Sequence, residues 1–592
     1  MRMRKNGYFI SFVVLATLLI GVLGGSLVFA RKSTSAVAST TSTSSAQPVV
    51  APMLGLQTVN MQSVPAETNP PSVSNGPLRK MPLLTGNPAL YAQHKAAASY
   101  NTNAPFVPNP VSNTAVKAAS AGTITTTRTS TSSLSTPVTA NQFQGMADSN
   151  SICPPATCQP PDMAVAASPN WVFQGVNTSY AVYSPTGTLQ KGWPKSAQKF
   201  FGIPNPGSCD KSGPFLTDPR TFYDPVDKHF WAVILQVEGA FGINNCPFQS
   251  LYWIAVSKSS NPNGAWNIYK FNMARGTKNG VDFTEFGFDR QAVYFSGNMF
   301  DRASSMFQYA EVFAASKARM EAGKSVTARG FTKLQSGTTM VDTVQPTMME
   351  ASGSSSNPLP GAELLVSSFN INSGQGQCFS GCSGIVVWAF DNPLIDPTLS
   401  QVVVSTPAYT LAPQADEPGC YNPCLETGDT RISGAPVYNN GKISFALETG
   451  VNNGTQVVPG IFWGQIQPTL SNGTITSASL VQNGYLAFTG DQAASFGALM
   501  ADNADNLFMV FDTMSSTLNP SIMYTARQTS DPLGQFEPAQ TLIQGVIPTN
   551  NNRWGDYEAA AFDGPATNDV WLAAQYSGST GDWATYIAQV HF

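Results

Sequence analysis

Beyond residue 150 the chain alternates short apolar runs with polar turns. One arrangement recurs: a polar start carrying Asp, a short strand, a turn rich in Asp, Gly or Pro, and a second, more apolar strand. It is plainest in RWGDYEAAAFDGPATNDVWLAAQYS, from Arg553 to Ser577. The same order is seen in PDMAVAASPNWVFQGVN from Pro161, DPRTFYDPVDKHFWAVILQ from Asp218 and DFTEFGFDRQAVYFSGNMF from Asp282. It returns at Asp342 with a longer turn, at Asp429, and at Ser495 just after Asp491. Seven copies thus start roughly 55 to 85 residues apart, a spacing that in all-β sequence marks propeller blades. A blade has four antiparallel strands, and the repeat supplies the inner two. Two further strands follow several copies, as in LYWIAVSKSSNPNGAWNIYKF and SIMYTARQTSDPLGQFEPAQTL. The second strand is often apolar on both faces (FWAVIL, LFMVF, VWLAA), as expected of a strand packed between neighbouring blades.

The expected fold is therefore all-β, a seven-bladed propeller over 151–592, with six blades as the alternative if the first and last copies share one. A β-sandwich would not need the same inner-strand signature seven times, and a β-helix has a much shorter period. SMFQYAEVFAASKARMEAG is read as holding one short helix.

Composition agrees. Charged residues are only 11% of the 592, while Gly, Pro, Ser, Thr and Asn abound, which favours strands and turns over helices. The net charge of −4 hides a split: the balance is +8 up to residue 150 and −12 beyond it. An acidic main domain is a poor partner for phosphate backbones, so nucleic acid is not expected.

At the N-terminus, MRMRKN precedes the uncharged YFISFVVLATLLIGVLGGSLVFA. That run is long enough to span a bilayer, and the basic residues before it orient the rest outward. Residues 1–30 are read as a signal peptide, cleaved after Val28-Phe29-Ala30, or as a retained membrane anchor; export to the cell surface or exterior follows from either. Residues 31–150, rich in Ser, Thr, Ala and Pro, are read as a disordered linker, a stalk or a processed pro-segment. In an exported chain the eight cysteines read as disulfides, and chain order suggests Cys153–Cys158, Cys209–Cys246, Cys378–Cys382 and Cys420–Cys424. Zinc is the rival reading of the paired CFSGC and CYNPC, but their three-residue spacing is not CxxC. Sequons begin at Asn177, Asn453 and Asn472.

SKSSNPNGAW (Ser257–Trp266) and RQTSDPLGQF (Arg527–Phe536) resemble the Asp-box turns, S-x-D-x-G-x-x-W, of sialidase-type propellers. There the turn joins the third and fourth strands of a blade. Asp or Asn caps it, Gly takes the strained angle and the aromatic packs between blades. The closing stretch, RWGDYEAAAFD through WATYIAQV, also resembles that of exported bacterial propellers without an established activity. The resemblance covers roughly residues 160–592 and speaks to fold more than to function.

In a propeller the innermost strands begin on the face where ligands usually bind. The repeat starts are thus expected to line one mouth of the channel. Candidate ligand-binding residues there are Asp218, Asp429, Asp556, Arg220, Arg431, Arg553, Tyr557 and Glu558, with Asp162, Asp282 and Asp342 nearby. The resemblance implies an Arg triad for an acidic sugar, a Tyr nucleophile activated by Glu, and an Asp acid/base. Against it, Tyr557 and Glu558 are adjacent on one strand and point to opposite faces. The Arg-Ile-Pro motif is absent, and the Arg residues are equally suited to tying blades together. With only His94, His229 and His591, a His-rich metal site or a Ser–His–Asp triad is not expected. No cofactor is expected; Ca²⁺ on the acidic rim is the alternative.

The first reading is a monomeric, exported propeller that binds a glycan or an extracellular protein at the channel mouth. A membrane tie through residues 1–30 applies if that segment is uncleaved. The runner-up is a sialidase-like glycoside hydrolase, and the third a non-catalytic adhesion or cell-envelope scaffold.

Overall fold

A computed structural model describes residues 42–43, 47–67, 88–108, 110–111, 136–148, 159–206, 209, 213–349, 360–369, 378, 381–420, 425–549 and 552–592. The hydrophobic segment within 1–30, together with Cys153, Cys158 and Cys424, lies outside them. No helix among the described residues is long and apolar enough to cross a membrane.

Seven antiparallel sheets form the blades, and the count of seven stands. Blade 1 is Ala164–Ser168, Trp171–Val176, Ser179–Tyr183 and Lys195–Ser196. The innermost strands of blades 2 to 7 are Leu216–Asp224, Asn279–Phe288, Gln345–Pro346, Val437–Asn439, Ala493–Ala501 and Ala559–Phe562. Each begins within eight residues of a repeat start, and Leu216, Asn279 and Ala493 begin just before theirs. The second strands behave as their sequence requires: Phe230 through Glu238 and Leu507 through Ser515 are buried without interruption. A strand buried on both faces needs an apolar neighbour on each side, and adjacent blades supply it. Phe173, Tyr180, Trp253 and Trp266 fill the seam between blades 1 and 2; Tyr294, Phe331, Trp388 and Phe390 fill that between blades 3 and 4.

The Asp-box-like turns lie where the resemblance puts them, between the third and fourth strands of blades 2 and 6. Asn261 Oδ1 accepts from Asn263 N at 3.0 Å, and Asp531 Oδ2 from Gln528 N at 2.7 Å. Trp266 reaches Phe173 of blade 1 at 5.3 Å and Phe536 reaches Trp463 of blade 5 at 4.6 Å, so both aromatics pack between blades. Only Gly534 has a left-handed backbone, at φ 78°.

One expectation changes. The stretch read as a linker is not uniformly without structure. Val138–Ala147 pairs with Trp583–His591 as the outermost strand of blade 7. Ser42–Thr43, Val49–Ala51 and Met53–Asn60 add fifth strands to blades 4, 3 and 2. Strand addition along an open edge is driven by backbone hydrogen bonds, which need few large apolar side chains, so composition hid it. SMFQYAEVFAASKARMEAG does hold one short helix, Lys317–Glu321, and it follows the strand Phe307–Ser316. That strand pairs with Ala292–Asp301 in blade 3, and its aromatic residues favour the sheet.

Candidate functional site

The rim is assembled by a repeated backbone device. Asp162, Asp218, Phe283, Thr343 and Phe496 all have left-handed backbones, with φ between 45° and 60°. In blades 2, 3 and 6 a bulge falls at this point of the innermost strand. The bulge aims an amide at the neighbouring blade. Asp218 N donates to Asn177 Oδ1 at 3.0 Å, Phe283 N to Asp218 Oδ2 at 2.7 Å and Thr343 N to Asn298 Oδ1 at 2.8 Å. Phe496 N donates to Glu448 Oε2 at 3.3 Å, and Asp556 N to Asp162 Oδ1 at 3.1 Å across the ring closure. Three of the six rim aspartates, Asp162, Asp218 and Asp556, thus take part in latches between blades.

All six rim aspartates come to one mouth. Burial pushes Asp162 and Asp282 well above the usual carboxylate range and raises Asp218; neighbouring carboxylates add to it, Asp556 and Asp218 around Asp162, and Asp218 around Asp282. Asp342 is raised to about 7 by burial and then by Asp429.

The three arginines divide into one buried and two partly exposed. Arg220 Nε donates to Thr284 O at 3.1 Å, and its Nη2 to Ser433 O at 3.0 Å and Glu285 Oε1 at 3.2 Å. The guanidinium lies 3.4 Å from the centroid of the Tyr557 ring. Tyr557 is fully buried and donates its hydroxyl to Pro219 O at 2.9 Å. Burial raises its phenol well above the usual range, and Arg220 only partly opposes this. Arg431 Nε reaches Asp429 Oδ1 at 2.7 Å, over the Phe283 ring. Arg553 Nη2 reaches Asp556 Oδ2 at 2.6 Å, with Glu426 at 3.7 Å. These last two ion pairs keep side-chain exposures of 15 to 27%.

Tyr557 and Glu558 do not face each other's chemistry. Glu558 turns to a buried cluster with Asp512 and Gln575, where burial and then Asp512 raise it. Asp512 is raised to about 8 by burial, and it accepts from Trp554 Nε1 at 2.7 Å. Asn177 was read only as the start of a sequon, and Asp512, Glu448 and Asn298 were missed by the sequence reading. Their signal was a polar residue inside an apolar second strand, as in ISFALETG and FMVFDTMS.

Among the described residues, a recess of roughly 220 Å³ opens beside the rim, lined by Arg553, Trp554, Asp582 and Trp583 among others. Asp224, Asp227 and Glu321 form a close group of three carboxylates among the described residues, at the far end of the strand Leu216–Asp224 from Asp218. Lys317 Nζ already bridges it, at 2.7 Å from Asp224 and 3.0 Å from Asp227. His229 Nδ1 lies 2.6 Å from Ser257 O, and His591 Nδ1 lies 2.9 Å from Asp569 Oδ1. Cys209 is bonded to Cys246 and Cys378 to Cys382; Cys420 is also disulfide-bonded. Of the sequon asparagines, Asn177 and Asn453 are buried and Asn472 is exposed.

No family model and no curated protein matches the chain. Solved structures similar to it are β-propellers of the sialidase kind among others. One is a protein of unknown function from Dyadobacter fermentans, at 11% identity and TM-score 0.30, over 64% of this chain and 95% of that one. Another is the NanB sialidase of Streptococcus pneumoniae, at 7% and 0.34, over 71% and 83%. A third is a Trypanosoma rangeli sialidase, at 8% and 0.31, over 72% and 57%. At these scores the likeness carries no weight for activity, and the seven blades are read from the chain's own sheets.

Proposed function

We propose that this protein binds a glycan at the rim of its propeller and does not hydrolyse it. The observation that carries the reading is the division among the rim groups. Arg220 and Tyr557 are buried and satisfied by their own chain, so neither is available as a triad arginine or as a nucleophile. Arg431–Asp429 and Arg553–Asp556 are the partly exposed pairs. A guanidinium beside a carboxylate offers donors and acceptors together, which suits the paired hydroxyls of a sugar. The proposal takes the protein to be exported, and the disulfides support that.

Oligosaccharide arrays followed by calorimetric titration test the reading. Arg431→Ala and Arg553→Ala are expected to weaken binding by about tenfold or more, the loss of a charge-assisted contact. Turnover of a chromogenic sialoside that disappears in Tyr557→Phe would instead establish the hydrolase.

A further inference from the structure

Lys95 brings a positive charge into this acidic mouth from the N-terminal stretch. It lies on the helix Pro88–Ala98 and is buried, while Ala92, Gln93, Ala96 and Ala97 of the same helix are exposed. Its Nζ donates to Thr427 Oγ1 at 2.9 Å, to Gly428 O at 2.5 Å and to Thr427 O. Three oxygens thus meet the three protons of one ammonium. The two residues that supply them sit between Glu426, which faces Arg553, and Asp429, which holds Arg431. Burial lowers the lysine's pKa, and Glu448, Glu426 and Asp429 oppose that with a negative field around the ammonium.

The cradle is held by the propeller and not by the helix. Thr427 Oγ1 is fixed by its bond to Pro413 O at 2.6 Å, and Glu426 N by Asn552 O at 2.8 Å. Glu448 is held by Ser495 Oγ and Phe496 N, each at 3.3 Å. After the helix the chain crosses the end of blade 5 through Val107 N to Asn452 O and Val111 N to Ala487 O, at 2.9 and 2.8 Å.

We propose that the pocket of Thr427, Gly428 and Glu448 is a binding site for a small primary ammonium ligand, and that Lys95 is its tethered occupant. The proposal stands apart from the glycan reading, because it concerns this pocket alone. A tethered group competes at an effective concentration on the order of millimolar, so a free amine is expected to enter only when Lys95 is removed.

The test uses the full chain carrying Lys95→Ala, titrated with n-butylamine and with glucosamine. n-Butanol and N-acetylglucosamine, which lack the charge, are the controls. Each amine that fits is expected to bind at one equivalent and to raise the unfolding midpoint, while neither control does. Adding Glu448→Gln should weaken amine binding about tenfold or more. The two amines separate an alkylammonium from an amino-sugar ligand. A folded Lys95→Ala chain that binds neither amine would overturn the proposal and leave the glycan titrations untouched. If the variant does not fold alone, refolding in n-butylamine against n-butanol decides: recovery with the amine only supports the site, and recovery with neither overturns it. In the unmodified chain, amine acetylation read by mass spectrometry should spare Lys95 relative to exposed Lys258. Equal labelling would also count against the pocket.

Discussion

Arg220 shows how a residue that reads as functional turns structural once its neighbours are known. In DPRTFYD it stands two residues from Asp218, and a rim partner is the natural reading. In the fold its guanidinium spans to Thr284 and Glu285 of blade 3 and Ser433 of blade 5, with Tyr557 of blade 7 beneath it. Arg220→Met is therefore expected to cost about 3–5 kcal/mol, because Glu285 is left buried without its counter-ion. Denaturant unfolding measures it, and glycan affinity per folded molecule should not change. The buried acids make a second prediction at this scale. Asp342 and Asp512 are raised to about 7 and about 8, chiefly by burial. The unfolded carboxyl, with a pKa of about 4, loses its proton first. Between those values the folded state holds more protons than the unfolded one, so stability is fullest on the acid side and falls as pH rises toward 8. The unfolding free energy should be higher at pH 5 than at pH 8, and Asp512→Asn should flatten that slope.

At the scale of elements, the N-terminal strands differ in what depends on them. Val49–Ala51 and Met53–Asn60 are fifth strands on blades that already have four. Val138–Ala147 is the fourth strand of blade 7, and it covers the edge of Trp583–His591 beside the ring closure. A chain lacking residues 1–61 should fold with a lower midpoint and keep its oligomeric state. A chain lacking residues 1–148 should expose that edge and aggregate, as size-exclusion chromatography will show. The opposite order would mean that the fifth strands, and not blade 7, hold the ring. The seven repeat starts were legible because each puts polar residues ahead of the innermost strand, with a bulge there in blades 2, 3 and 6. The added strands were not legible, since Val138–Ala147 differs little in composition from the polar sequence before it.

At the scale of the molecule, ring closure places residues nearly 400 positions apart in contact, as Asp556 N with Asp162 shows. It also explains why acidic groups from six blades converge while the described chain elsewhere offers no comparable gathering of carboxylates at one mouth. What the chain's own order of residues determined is the repeating unit: strand, turn, apolar strand, with its period and its polar start. Those are local preferences of backbone and side chain, and they read directly. Only the tertiary structure decided which charges pair. Arg220 and Tyr557 became a sealed stack, Arg431 and Arg553 stayed partly open, and Lys95 came in from the N-terminal stretch to sit among the acids. Pairing depends on distances across blades, and these are set by how seven sheets close, not by spacing along the chain.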